Sequence, residues 1–103
     1  MDYSKLSDFE INKRVAKIYG GFALTLAVHK EPPSGKSFDP GRFDPCNNPA
    51  DAFPIIEANR ISLRNRYEGD WKAENEWGES HFHVACNPLR AAMVVFLMMQ
   101  GDK

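Results

Sequence analysis

The sequence predicts an α+β fold: a small antiparallel sheet of three to four strands packed against about three helices, with the C-terminal helix central. Three observations carry this. Two Asn-Pro pairs, Asn48-Pro49 and Asn87-Pro88, open apolar segments. An Asn side chain accepts a free backbone N–H at a helix start. A Pro just after it has the right φ and no N–H to orphan. Residues 61–77 have a period of two on both sides of Glu68-Gly69-Asp70, the pattern of a β-hairpin. Ala91 to Met99 carries no polar residue, so a helix there must be covered on every side.

Taken in order, the elements read α-β-α-β-β-β-α. Ser7-Asp8-Phe9-Glu10 has the form of a capping box, with Leu6 and Ile11 placed as a hydrophobic staple. Ile11, Val15 and Ile18 recur at helical spacing, and Gly20-Gly21 closes the element, so a first helix is expected over Asp8 to Tyr19. Phe22 to Val28 is apolar with one Thr and reads as a strand. Lys30 to Asn47 holds Pro32, Pro33, Pro40 and Pro45 and reads as a loop. A loop of that length in a small domain is expected to carry function or to move. A second helix runs from Pro49 to about Asn59, and Pro54 inside it predicts a short, distorted element.

The hairpin places Ser62, Arg64 and Arg66 across from Lys72, Glu74 and Glu76, a basic strand facing a mostly acidic one. Phe82, Val84 and Cys86 alternate with His81, His83 and Ala85 as a further strand. The last helix opens at Pro88 and stops at Gly101.

Composition bounds the function. The chain has 103 residues, 43% of them hydrophobic, which fits one domain, residues 1–103, with a real core. Net charge is −1, from 13 basic and 14 acidic residues. No global basic field is available to hold a nucleic-acid backbone. The opening Met1-Asp2-Tyr3-Ser4-Lys5 lacks the apolar stretch of a signal peptide. The nine apolar residues of Ala91–Met99 are too few to span a bilayer. An intracellular protein with free thiols and no membrane partner is expected.

The candidate site follows from the helix starts. A helix N-terminus presents free N–H groups to an anion. Asn47, Asn48, Asn87 and Arg90 could gather around a phosphate or carboxylate, with Arg42 recruited from the Pro-rich loop closing above. Plain capping explains the same two Asn-Pro pairs. Asp51 argues against an anion at the second helix, because its carboxylate already meets the dipole there.

Other chemistries are less supported. His81, His83, Cys86 and Cys46 are metal-ligand types, but Cys86 has the opposite strand parity and no zinc spacing is present. No metal and no cofactor are therefore expected. Cys86 beside His83 lacks the third, orienting group that nucleophilic catalysis needs, so the chain reads as no enzyme. Arg60, Arg64 and Arg66 with Tyr67 and Trp71 would suit nucleic acid. The intervening Glu68, Asp70, Glu74 and Glu76 turn that surface into a hairpin of ion pairs and weigh against it.

Three segments carry a family resemblance: Leu6-Ser7-Asp8-Phe9-Glu10-Ile11-Asn12-Lys13, Cys46-Asn47-Asn48-Pro49-Ala50-Asp51-Ala52-Phe53-Pro54-Ile55-Ile56, and Asn87-Pro88-Leu89-Arg90-Ala91-Ala92-Met93-Val94-Val95-Phe96-Leu97-Met98-Met99. In these the chain resembles NinX, a family of small proteins of tailed bacteriophages and prophages. The resemblance implies an accessory phage protein in the host cytoplasm and carries over no catalytic residue.

The function expected is a non-enzymatic binding module acting on a host or phage protein, with a patch at Trp71, Trp77 and Phe82 as its surface. The alternative is a binder or sponge for a nucleotide or other small anion. A homodimer is expected to cover part of Met93, Phe96, Met98 and Met99, or the hairpin.

Overall fold

A computed structural model describes residues 2–30, 41–75 and 81–101. The Pro-rich stretch 31–40, with the loop closure expected of it, and residues 76–80, with Glu76 and Trp77, lie outside the described residues.

The chain opens with a 3-10 turn, Tyr3–Lys5, whose Tyr3 is buried. Helix α1 spans Asp8–Thr25. Its start is the expected capping box: the Glu10 N–H donates to Ser7 Oγ at 3.1 Å, and the Ser7 N–H donates to Glu10 Oε1 at 3.0 Å. The strand expected over Phe22–Val28 does not form. Gly21 adopts φ 77°, kinks the helix and lets it resume to Thr25. Glycine takes a positive φ at little cost, so Gly20-Gly21 bends this element where a stop was expected. The Phe43 N–H then donates to the Ala27 carbonyl at 2.8 Å, bringing the segment after residue 40 alongside the end of α1.

Helix α2 spans Pro49–Ala58, with Asn48 as N-cap, its side-chain Oδ1 accepting from the Ala50 N–H at 3.0 Å. It continues through Pro54. The ring removes one bond to the Ala50 carbonyl, and Ala50 is exposed, so water can satisfy it. Arg60 leaves the helix with φ 52°.

Strands β1 (Ile61–Asn65), β2 (Trp71–Asn75) and β3 (Phe82–Ala85) form one antiparallel sheet in that order. Arg66 closes the turn: its N–H donates to the Asp70 carbonyl, and its carbonyl accepts from Gly69. Cross-strand register puts Leu63, Ala73 and His83 on one face, with Ile61, Asn75, Trp71 and Ala85. Ser62, Arg64, Lys72, Glu74, Phe82 and Val84 share the other. On that outer face Arg64 pairs diagonally with Glu74 at 3.1 Å, and the Lys72 ammonium lies 4.7 Å from the Phe82 ring centroid.

Helix α3 (Pro88–Met99) packs against all three strands and against α1 and α2. Ala91 to Leu97 are buried without interruption. Met93 and Phe96 are buried within the fold, whereas Leu89, Met98 and Met99 are part-exposed. Ile11 and Val15 join α3 in the core, whereas Ile18, expected beside them, is 42% exposed.

Candidate functional site

The two Asn-Pro starts meet the start of α1 in one polar cluster. Asn87 Oδ1 caps α3 by accepting from the Leu89 and Arg90 N–H groups, at 2.9 and 3.4 Å. Its Nδ2 donates to the Cys46 carbonyl at 2.7 Å and to Asn47 Oδ1 at 3.3 Å. Asn47 Nδ2 in turn donates to Asp8 Oδ2 and to the Asp44 carboxylate. Buried Asn12 donates to Asp44 Oδ1 at 2.7 Å and accepts from the Cys46 N–H at 3.0 Å. The Asp44 N–H donates to Asp51 Oδ2 at 2.8 Å, which ties in the first turn of α2.

Arg90 closes the cluster. Its Nη1 donates to Asp8 Oδ1 at 2.7 Å, and its Nη2 donates to the carbonyls of Tyr3, at 3.1 Å, and Leu6. The guanidinium is planar and forked, which lets one side chain hold three acceptors at once. A cation in the first turn of a helix opposes the dipole. Here the Asp8 carboxylate compensates it, and the N-terminal turn is fastened to α3 in return.

Of the residues expected at an anion site, the structure brings Asn47, Asn87 and Arg90 together. Their polar atoms are committed to protein partners, and Asp8, Asp44 and Asp51 already supply negative charge at the helix starts. Asn48 caps α2. Arg42 turns elsewhere, its Nη2 3.5 Å from the His29 carbonyl beyond the end of α1.

Burial, with the Asp8 carboxylate next in weight, pushes the Cys46 thiol far above its usual range, so it stays a protonated core residue. Cys86 is exposed and free. Partial burial first, then the Arg90 charge, lowers the His83 pKa, with Asp2 acting weakly the other way. Among the described residues, no three His, Cys, Asp or Glu side chains are grouped to hold a metal ion. No helix among them is long and apolar enough to cross a membrane.

Of the patch expected at Trp71, Trp77 and Phe82, Trp77 lies outside the described residues. Register places Trp71 and Phe82 on opposite faces of the sheet. Exposed apolar surface lies instead at the kinked end of α1, where Ile18 (42%), Tyr19 (49%), Phe22 (77%) and Leu26 (68%) stand out within nine residues. Tyr19 stacks on buried Phe43, ring centroids 6.5 Å apart and planes at 7°. Reading 22–28 as a strand hid this surface. The signal that points to it is the cluster of large apolar residues, Ile18, Tyr19, Phe22 and Leu26, on either side of Gly20-Gly21.

Among known proteins, no curated sequence and no solved structure matches significantly. The family model described as Bacteriophage P22, NinX matches residues 2–100, which include the capping box, both Asn-Pro starts and the whole of α3. The chain belongs to that phage family.

Proposed function

We propose that this phage protein is a non-enzymatic accessory module that acts in the host cytoplasm by docking on a host protein. The observation that carries the reading is the exposed apolar end of α1: Ile18, Tyr19, Phe22 and Leu26. Isolated apolar side chains on a surface need no explanation, but a group of large ones confined to one element marks an interaction site. Aromatic side chains such as Tyr19 and Phe22 bring the most contact area per residue to such a surface. The rest of the fold gives this element a fixed base, since Ile11, Val15 and Ala16 of the same helix are fully buried. Docking with little rearrangement is the economical case for binding.

The small-anion alternative draws less support from the geometry. An anion entering at Asn87 and Arg90 would have to displace Asp8 from the guanidinium and lie beside Asp44. Like charges that close oppose binding. For catalysis, the buried Cys46 thiol is held protonated and offers no ready nucleophile.

The test compares polypeptides that co-purify with the tagged protein from phage-carrying host cells. Wild type, the double variant Phe22→Ser/Leu26→Ser, and the control Phe53→Ser, at an exposed position on α2, are run in parallel. The reading expects a stoichiometric polypeptide with wild type and control that is lost from the double variant at unchanged thermal stability. Equal capture by all three would refute docking through α1.

A further inference from the structure

We propose that strand β3 is an open edge that pairs with β3 of a second copy of this chain, joining the two sheets into one across a two-fold axis. The direction of the backbone groups follows from the register. The Asn75 N–H donates to the His81 carbonyl at 3.2 Å. Bonding pairs alternate along an antiparallel ladder, so His83 opposite Ala73 and Ala85 opposite Trp71 also bond to β2. Phe82 and Val84 lie at the alternate positions, and their N–H and C=O groups point away from β2. Among the described residues, no backbone group pairs with them.

An open edge is a template for another strand, and proteins blunt it with charges, Lys or Pro. Phe82–Ala85 holds no Lys, Arg, Asp, Glu or Pro. The opposite edge differs: β1 carries Arg64, is followed by Arg66, and lies beside α2.

Self-complementarity names the occupant. With the two-fold axis at His83, Phe82 stands opposite the partner's Val84, and Val84 opposite the partner's Phe82. All of these positions have outward groups, so each pair exchanges both its N–H···O bonds. The side chains agree with that register. Phe82, 58% exposed, and half-buried Val84 share the outer face with Glu74 and Lys72. An aromatic ring beside a β-branched side chain is a favourable cross-strand pair. Glu74 adjoins Phe82 and Lys72 adjoins Val84. The row that crosses the seam therefore runs Glu74, Phe82, the partner's Val84 and the partner's Lys72. Opposite charges flank an apolar pair, and symmetry repeats the row. A foreign strand would have to supply the same spacing and charge order, both of which this chain carries. Two-fold pairs are also the commonest closed assembly. With four residues on each edge, the contact is small and the dimer depends on concentration.

The test is sedimentation equilibrium of the full-length protein from micromolar to millimolar concentration, with amide hydrogen exchange followed by NMR. Wild type should pass from monomer to dimer, and the Phe82 and Val84 amides should exchange more slowly as concentration rises. Val84→Pro removes an outward N–H and no bond to β2, a change that an edge strand tolerates. It should weaken self-association at least about tenfold, one hydrogen bond being lost from each protomer. Phe82→Lys puts an ammonium opposite Glu74 within the monomer and a charge on the open edge. It should abolish the dimer at unchanged thermal midpoint, and it carries the test if the proline variant does not fold. A wild type that stays monomeric throughout, a dimer that Phe82→Lys leaves intact, or exchange at positions 82 and 84 indifferent to concentration overturns the proposal.

Discussion

Replacing Arg90 by Ala should cost far more stability than a surface arginine would. The side chain is 16% exposed and holds the Tyr3 and Leu6 carbonyls together with the Asp8 carboxylate. A hydrogen bond from a charged donor contributes about 1.5–3 kcal/mol net, and truncation strands two carbonyl acceptors at once. Asp8 is 43% exposed, so solvent screens the ion pair and it adds no more than about 1 kcal/mol. The sum is a loss of about 3–5 kcal/mol, the range for breaking a buried charge network. For a domain of this size that lowers the thermal midpoint by at least roughly 12 °C. Urea and thermal unfolding of wild type, Arg90→Ala and Arg90→Lys measure it. Lysine keeps the charge but not the fork, so it should recover only part of the loss. A cost below about 0.5 kcal/mol for Arg90→Ala would refute the structural role and return Arg90 to the ligand site.

Leu97 is fully buried in α3, and Leu97→Ala should cost about 2–5 kcal/mol by urea unfolding, the range for emptying a core leucine site; a negligible cost would mean the last helix is not central. Arg60 sits at φ 52° between α2 and β1, so Arg60→Gly should stabilise by roughly 0.5–1 kcal/mol by removing αL strain. A loss there would mean that the Arg60 side chain does more for stability than its backbone strain costs. The lowered His83 pKa has a definite sign: above its ordinary value of 6.5 its contribution is fully present, and below it the unfolded chain takes up the proton first, so stability falls as pH falls. Thermal midpoints between pH 7.5 and 5.5 should drop less in His83→Gln than in wild type, and identical slopes would contradict the assignment.

Local signals in the sequence decide the structure where a short stretch suffices. Ser7 and Glu10 form their reciprocal cap three residues apart, and Asn48 and Asn87 cap helices that begin at the next proline. The hairpin alternation matches the observed register because side-chain parity has only two choices. What failed was a competition between two local signals. Gly20-Gly21 ends most helices, and Phe22–Val28 is apolar enough for a strand. One positive φ at Gly21 settled both against expectation by bending the helix. Ile18 lies three residues before the bend and is 42% exposed.

The polar cluster was half legible. The sequence places Asn47, Asn48, Asn87 and Arg90 at helix starts, and Asn47, Asn87 and Arg90 converge. Their partners were not readable, because Arg90 reaches Tyr3, Leu6 and Asp8 across more than eighty positions of sequence. Spacing along a chain carries no information about such a contact. The same residue types that would cradle an anion also serve to fasten three helix starts, and only the positions of Asp8 and Asp44 distinguish the two arrangements.

Native mass spectrometry of the protein purified from phage-carrying host cells tests the binding reading most directly. The account predicts a retained polypeptide in defined stoichiometry, absent when Phe22 and Leu26 are both replaced by Ser. A retained small anionic mass without a polypeptide, lost on Arg90→Lys, would contradict it and place the function at the helix starts.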